Sequence, residues 1–76
     1  MSHYFRENLK EARKAKAFTQ KEVAKMLNVV ESCYANWEQG RTEPSIDNLQ
    51  KICVILDISA NDLLNLEDRA KISIKQ

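Results

Sequence analysis

The 76-residue sequence contains little glycine, proline, cysteine or histidine. One glycine and one proline leave little material for the tight turns of β-hairpins. The longest uncharged run is far shorter than the ~18 apolar residues of a membrane span, and no signal-peptide pattern opens the chain. Cys33 and Cys53 lie far apart without a CxxC pair, which fits reduced thiols better than a disulfide framework. We therefore expect one small cytoplasmic domain that does not associate with membranes.

Residues of the kinds that build catalytic and metal sites are also scarce. His3 is the only histidine, and the sequence has no glycine-rich phosphate loop, metal-ligand spacing or nucleophile–base set. We therefore expect neither an enzyme nor a cofactor, metal or small-molecule site. Cys33 and Cys53 are interpreted as small, buried or half-buried apolar residues.

The net charge is only +1, but the charges are unevenly distributed. Residues 1–27 carry seven basic and three acidic groups, whereas residues 28–44 carry one basic and three acidic groups. A basic first third fits a polyanionic partner and fits a solvated helix face equally well. Charge alone therefore does not select a function.

Apolar periodicity and capping residues predict five short helices. The first runs from about residue 4 to residue 16. Thr19 and Glu22 form a T-x-x-E capping box that begins the second helix. Asn28 follows the last apolar position of that helix, and asparagine tolerates the left-handed conformation that ends many helices.

The third helix is predicted over roughly Glu31–Gln39, with Gly40 at its end. Val30, Tyr34 and Trp37 fall at i, i+4 and i+7, so we expect them to share a buried face. The opposite face has small or hydrogen-bonding side chains in place of lysine and glutamate, which indicates a contact surface: Ser32, Ala35, Asn36 and Gln39.

Ser45 and Ser59 are expected to cap a fourth and a fifth helix. The apolar positions assigned to these two helices are Ile46, Leu49, Ile52, Cys53 and Leu56, and then Leu63, Leu64 and Leu66. The predicted fold is thus a compact, all-α, five-helix domain over residues 1–66. Residues 67–76 form a short tail, which is either a dimerisation strand, because residues 71–75 alternate in polarity, or disordered.

The second helix, the turn and the third helix read TQKEVAKMLNVVESCYANWEQG, followed by RTEPS. On these residues, and on the apolar segment 52–56, the chain resembles the phage-repressor/Cro-type helix-turn-helix family, also called the xenobiotic-response-element (XRE) family. The resemblance covers about residues 5–66. It implies a lambda-repressor-like domain whose third helix lies in the major groove of DNA while its second helix crosses the backbone.

The resemblance also implies roles for individual residues. The positions that match base-reading residues are Glu31, Ser32 and Asn36. The positions assigned to phosphate contacts, or to the support of such contacts, are Gln20, Lys21, Arg41 and Thr42. The chemistry of Asn36 agrees independently, because its amide can pair bidentately with adenine. The family pattern further pairs Glu38 with an arginine of the first helix, and Arg13 occupies that position.

Two residues depart from the family pattern. Val30 stands where a serine or threonine N-cap is usual, and the missing cap costs ~1 kcal/mol if nothing replaces it. Glu31 stands where a neutral amide or a basic residue is common. Its carboxylate could complement the helix dipole, by ~0.3–1 kcal/mol, or accept a hydrogen bond from cytosine N4. It could also repel phosphate.

The function that these patterns favour is a sequence-specific DNA-binding transcriptional regulator, which we expect to be a repressor. Because one helix reads too few base pairs for specificity, we expect a homodimer on a palindromic operator. The dimer contact is predicted in the C-terminal third, at Leu63, Leu64, Leu66, Ile72 and Ile74. The alternative is a helix-turn-helix module that has lost or weakened DNA binding and binds a protein instead.

Overall fold

The computed structural model describes residues 3–65, except for the side chain of His3. These residues form five α-helices and no strand: α1 (His3–Ala15), α2 (Gln20–Leu27), α3 (Glu31–Gln39), α4 (Ile46–Ile55) and α5 (Ala60–Leu64). The predicted all-α, five-helix class is confirmed. The predictions for Leu66, for the tail and for a strand at residues 71–75 lie outside the described residues.

Three helices begin at the side-chain caps that the sequence predicts. Thr19 Oγ1 accepts a hydrogen bond from the backbone N–H of Glu22, and the Glu22 carboxylate accepts one from the N–H of Thr19, at 3.0 and 2.8 Å. Ser45 Oγ accepts from the N–H of Asn48, and Ser59 Oγ accepts from the N–H of Asp62. Each cap satisfies a donor that a helix start otherwise leaves unpaired.

Left-handed residues end the helices and reverse the chain. Asn28 follows α2 with a φ of 59°, and Gly40 follows α3 with a φ of 77°. Asn65 adopts the same conformation after α5. Both positions singled out in the sequence, Asn28 and Gly40, are therefore confirmed as helix ends.

The core is one cluster to which every helix contributes. α1 packs against α3 and α5, α2 packs against α3 and α4, and α4 packs against α5. The buried apolar side chains are Phe5, Leu9, Val23, Ala24, Leu27, Tyr34, Trp37, Ile52, Leu56 and Leu63. At one edge, the Asn8 amide donates to the backbone oxygens of Asp62 and Leu63, which ties α1 to α5.

Two residues predicted to lie on buried stripes are exposed instead. Val30 is 68% exposed because it is the extended N-cap residue of α3, and the neighbouring Val29 packs against the core in its place. Ile46 is 73% exposed. At ~100° per residue, it lies ~120° around α4 from the fully buried Ile52. None of the helices between residues 3 and 65 has the length and apolar character needed to cross a bilayer.

Candidate nucleic-acid interface

A short turn sets α3 against α2. Asn28 ends α2, and the backbone N–H of Val29 donates to the oxygen of Ala24 at 3.0 Å. Val30 then adopts the extended conformation and begins α3 without a side-chain hydrogen bond, so the predicted lack of a cap is confirmed. Tyr34 and Trp37 face the core with their rings edge to face, 5.7 Å apart. These two aromatic side chains fix which face of α3 points away from the domain.

A buried ion pair holds α3 to α1, as the resemblance implies. Arg13 Nε donates to Glu38 Oε2 at 2.7 Å, and Arg13 Nη2 donates to Glu38 Oε1 at 3.1 Å. The third nitrogen, Arg13 Nη1, donates to the backbone oxygen of Phe18 at 2.9 Å. The Glu38 side chain is only 3% exposed, and that of Arg13 is 12% exposed. Glu38 is therefore structural rather than a charge on the surface of α3.

The ion pair extends to α2 through Gln20. The Gln20 amide donates to Glu38 Oε1 at 3.0 Å, so one carboxylate connects α1, α2 and α3. Burial alone raises the pKa of Glu38, but the hydrogen bonds that it accepts, first of all from Arg13, lower that pKa below its usual value. The hydrogen bonds that Arg13 donates to Glu38 also raise the pKa of Arg13. Both groups are therefore charged at neutral pH.

The predicted base-reading residues lie within the first six residues of α3. Glu31 and Ser32 are exposed, and Asn36 is half-buried. Within the described part of the chain, none of these three side chains forms a hydrogen bond or an ion pair. Their polar atoms are thus available for an external partner. Ala35 is half-buried and Gln39 is exposed on the same helix.

The predicted phosphate-contacting residues fall into two groups at the two ends of α3. Lys21 and Glu31 line one cleft of about 490 Å³ at the helix start. Arg41 and Thr42 line another, of about 320 Å³, just beyond the helix end. Gln20 is half-buried and held by Glu38, whereas Lys21, Arg41 and Thr42 are exposed.

The structure adds two basic residues that the sequence analysis did not select. Lys25 lines the first cleft together with Lys21. The two lysines are four residues apart on α2, so helical spacing alone could have placed them together. Arg6 lines the second cleft, where its guanidinium reaches the backbone of Gln39. No local pattern in the sequence indicates that contact, because the two residues are 33 positions apart.

Comparison with known protein families matches residues 9–63 to the helix-turn-helix family. The chain belongs to this family. The resemblance found in the sequence is thereby confirmed, and so is the prediction that the chain is related to regulators rather than to enzymes. No solved structure gives a significant match.

This helix-turn-helix chain is similar to several bacterial proteins named as HTH-type transcriptional regulators. It is 40% identical to YqaE of Bacillus subtilis strain 168 over 68 residues, which are 90% of this chain and 59% of YqaE. It is 35% identical to ImmR of the same strain over 63 residues, or 83% of this chain and 50% of ImmR. It is 33% identical to SinR of Bacillus licheniformis over 66 residues, or 86% of this chain and 60% of SinR. The helix-turn-helix chain thus spans about half to three-fifths of the length of these relatives.

Proposed function

We propose that this chain is a sequence-specific DNA-binding transcriptional regulator that lays α3 in the major groove while α2 crosses the phosphate backbone. The observation that carries the proposal is the division of α3 into two faces. One face is anchored by Tyr34, Trp37 and the buried Glu38. The other presents polar side chains without partners in the described residues. Membership of the helix-turn-helix family and similarity to named transcriptional regulators support the same reading.

In this proposal, Glu31, Ser32 and Asn36 read base edges. Asn36 is the strongest candidate, because its amide offers a donor and an acceptor to one adenine. Ser32 can donate to or accept from several bases. Glu31 lies in the first turn of a helix with no side-chain cap, so its carboxylate complements the helix dipole in the free protein. In the complex it accepts a hydrogen bond from cytosine N4.

Phosphates are contacted by Lys21, Arg41 and Thr42. Gln20 also contacts phosphate, while its side chain stays hydrogen-bonded to Glu38. Phosphate contacts supply a large share of the affinity and set the register of the protein, so an acidic residue at a base-reading position is compatible with binding. The two clefts lie at opposite ends of α3, as contacts to backbone on both sides of a groove require.

The proposed regulator is a cytoplasmic repressor that acts as a homodimer on a palindromic operator. One recognition helix reads only a few base pairs, and two-fold pairing doubles the site with half-sites ~34 Å apart. Residues 1–66 form the DNA-binding domain. The proposed two-fold contact lies in the C-terminal third; of its predicted residues, Leu64 of α5 is half-buried, whereas Leu63 is fully buried in the core and offers no surface. Analytical ultracentrifugation tests this step: Leu64→Glu is expected to dissociate the dimer, whereas a chain that is monomeric at high micromolar concentration without DNA contradicts it.

Selection of binding sites from randomised duplexes, followed by two substitutions, tests the docking. Asn36→Ala is expected to cost ~1–3 kcal/mol at one base position in each half-site and to relax the preference there. Arg41→Ala is expected to weaken all sequences alike and to reduce the slope of log affinity against log salt by about one unit. Asn61→Ala and Lys51→Ala are the matched controls, since both residues are exposed on α5 and α4.

Two results would contradict this docking. Unchanged affinity of both Asn36→Ala and Arg41→Ala for the selected site would show that α3 does not face DNA in this way. Wild-type protein that selects no sequence, and whose weak binding lacks a steep salt dependence, would favour the protein-interaction module instead.

A further inference from the structure

Arg6 of α1 contacts the C-terminal end of α3. Its Nη1 donates to the backbone oxygen of Gln39, the last residue of the helix, at 3.3 Å. The side chain is half-buried and also lines the cleft that contains Arg41 and Thr42. A residue near the start of the chain thus contacts the turn that follows the recognition helix.

The backbone carbonyl groups at the C-terminal end of α3 are stabilised by a nearby positive charge. The last carbonyl groups of a helix point away without partners and carry partial negative charge. Gly40 and Arg41 satisfy part of this set, since both backbone N–H groups donate to the oxygen of Asn36. The last turn of α3 contains no basic residue of its own. The guanidinium of Arg6 supplies a positive charge at this helix end and a donor for the oxygen of Gln39.

Arg6 also covers the backbone at the reversal itself. A Cβ atom built at Gly40 would lie 2.9 Å from Arg6 Nη1 and 3.0 Å from Arg6 Cδ. The arginine is therefore packed directly over the glycine that turns the chain out of α3.

We infer that Arg6 is a positioning residue for DNA binding: it fixes the turn after α3 so that Arg41 and Thr42 meet the phosphate backbone. The inference rests on the proposed function, because it assigns Arg6 an effect on contacts proposed there. Arg6 acts through the helix end and does not itself touch DNA.

Amide hydrogen exchange of the free protein tests the first half of the inference. In Arg6→Ala, the amides of Gly40 and Arg41 are expected to exchange about two- to fivefold faster, because the loss of a cation at a helix end favours local opening by this factor. The capping-box amide of Glu22 should be unchanged. Lys10→Ala is the matched control: Lys10 is exposed on the same helix, and its substitution removes one positive charge as well. Equal exchange at Gly40 and Arg41 in both variants would overturn the inference.

Affinity for the selected duplex tests the second half. Arg6→Ala is expected to raise Kd about three- to tenfold more than Lys10→Ala, with no greater change in salt slope, since no phosphate contact is lost directly. Arg6→Lys keeps a cation and a donor, and it is expected to recover most of the affinity and of the exchange protection. A general loss of folding would instead speed exchange at the Glu22 amide as well as at Gly40 and Arg41.

The outcomes separate this inference from the proposed function. If wild-type protein binds the duplex and Arg6→Ala binds no more weakly than Lys10→Ala, Arg6 does not position the turn. If Arg6→Ala alone reduces the salt slope by about one unit, Arg6 contacts phosphate directly and the inference is wrong in that respect. If wild-type protein binds no duplex, the proposed function fails first, and the positioning role fails with it.

Discussion

Replacing Arg13 by methionine is expected to destabilise the fold more than any surface substitution, because it leaves the Glu38 carboxylate buried without its cation. The Glu38 side chain is 3% exposed and receives two of its hydrogen bonds from Arg13, at 2.7 and 3.1 Å. Breaking a buried pair by removing one partner costs ~3–5 kcal/mol. At 0.05–0.15 kcal/mol per residue, a 76-residue domain has a total stability of only about 4–11 kcal/mol. The substitution therefore removes a large part of the total.

Urea unfolding at pH 7 measures the effect, with the fluorescence of Trp37 as the signal, because this buried side chain is the only tryptophan. Lys14→Met is the control, since Lys14 is the exposed neighbour of Arg13, and its substitution should change the free energy of unfolding by less than ~0.5 kcal/mol. The double variant Arg13→Met, Glu38→Leu should recover most of the loss, because apolar replacement of a whole buried pair is often close to neutral.

The loss in Arg13→Met should also depend on pH. Without the arginine, the largest cause that opposes burial is lost, and we expect burial to raise the pKa of Glu38 in the folded state above its unfolded value. The penalty is then present above that raised pKa and diminishes as the carboxyl group becomes protonated at lower pH. A loss below ~1 kcal/mol, or a double variant no more stable than Arg13→Met, would refute the claim that Glu38 depends on Arg13 for its burial.

Three further substitutions or conditions test other parts of the structure. In the wild type, the pKa of Glu38 is lowered, so its contribution to stability is complete above ~pH 4.3 and is lost as the pH falls through the pKa of the folded state. Urea titrations at pH 7, 5 and 3 should show this loss, and Glu38→Gln should reduce the dependence of stability on pH. Val30→Ser should raise the free energy of unfolding by ~1 kcal/mol through a new N-cap at an exposed site, and a melting temperature no higher than that of Val30→Ala would contradict it. Gly40→Ala should cost ~1–2 kcal/mol, because the φ of 77° disfavours a side chain and the new Cβ meets Arg6; a change below ~0.5 kcal/mol would show that the turn relaxes without cost.

The sequence allowed the helices and their ends to be predicted where the determining residues are close together in the chain. Thr19 and Glu22 are three residues apart, and the capping box that they form follows from the local geometry of a helix start. Asn28 and Gly40 each act at a single position, through their tolerance of a positive φ. The predicted bounds of α3 agree with the structure for the same reason.

Two predictions of buried residues that relied on apolar spacing alone are wrong: Val30, just before α3, and Ile46, in the first turn of α4. Val30 has the right spacing for the stripe of Tyr34 and Trp37, but the N-cap residue is extended and the spacing does not apply to it. Ile46 belongs to α4, yet the face that α4 buries is set by its packing against α2 and α5. The orientation of a helix about its own axis depends on those neighbours, and the apolar residues of α4 alone do not determine it.

Contacts between distant parts of the chain are of two kinds: one follows from the family pattern, and the others depend on how the helices cross. The Arg13–Glu38 pair was expected from the family pattern and is present. The bonds from Gln20 to Glu38 and from Arg6 to Gln39 were not expected, because they depend on where α1 and α2 cross α3. Which side chain fills a crossing is decided by tertiary geometry, and the residues involved are 18 and 33 positions apart.

The division of α3 between buried anchors and an exposed polar face also bears on how such a protein can evolve. Substitutions at Ser32 or Glu31 alter exposed side chains without partners in the described residues, so they leave the core and the buried ion pair untouched. Tyr34, Trp37 and Glu38 can meanwhile remain constant. A lineage can therefore change the chemistry of the exposed face one mutation at a time without passing through unfolded intermediates.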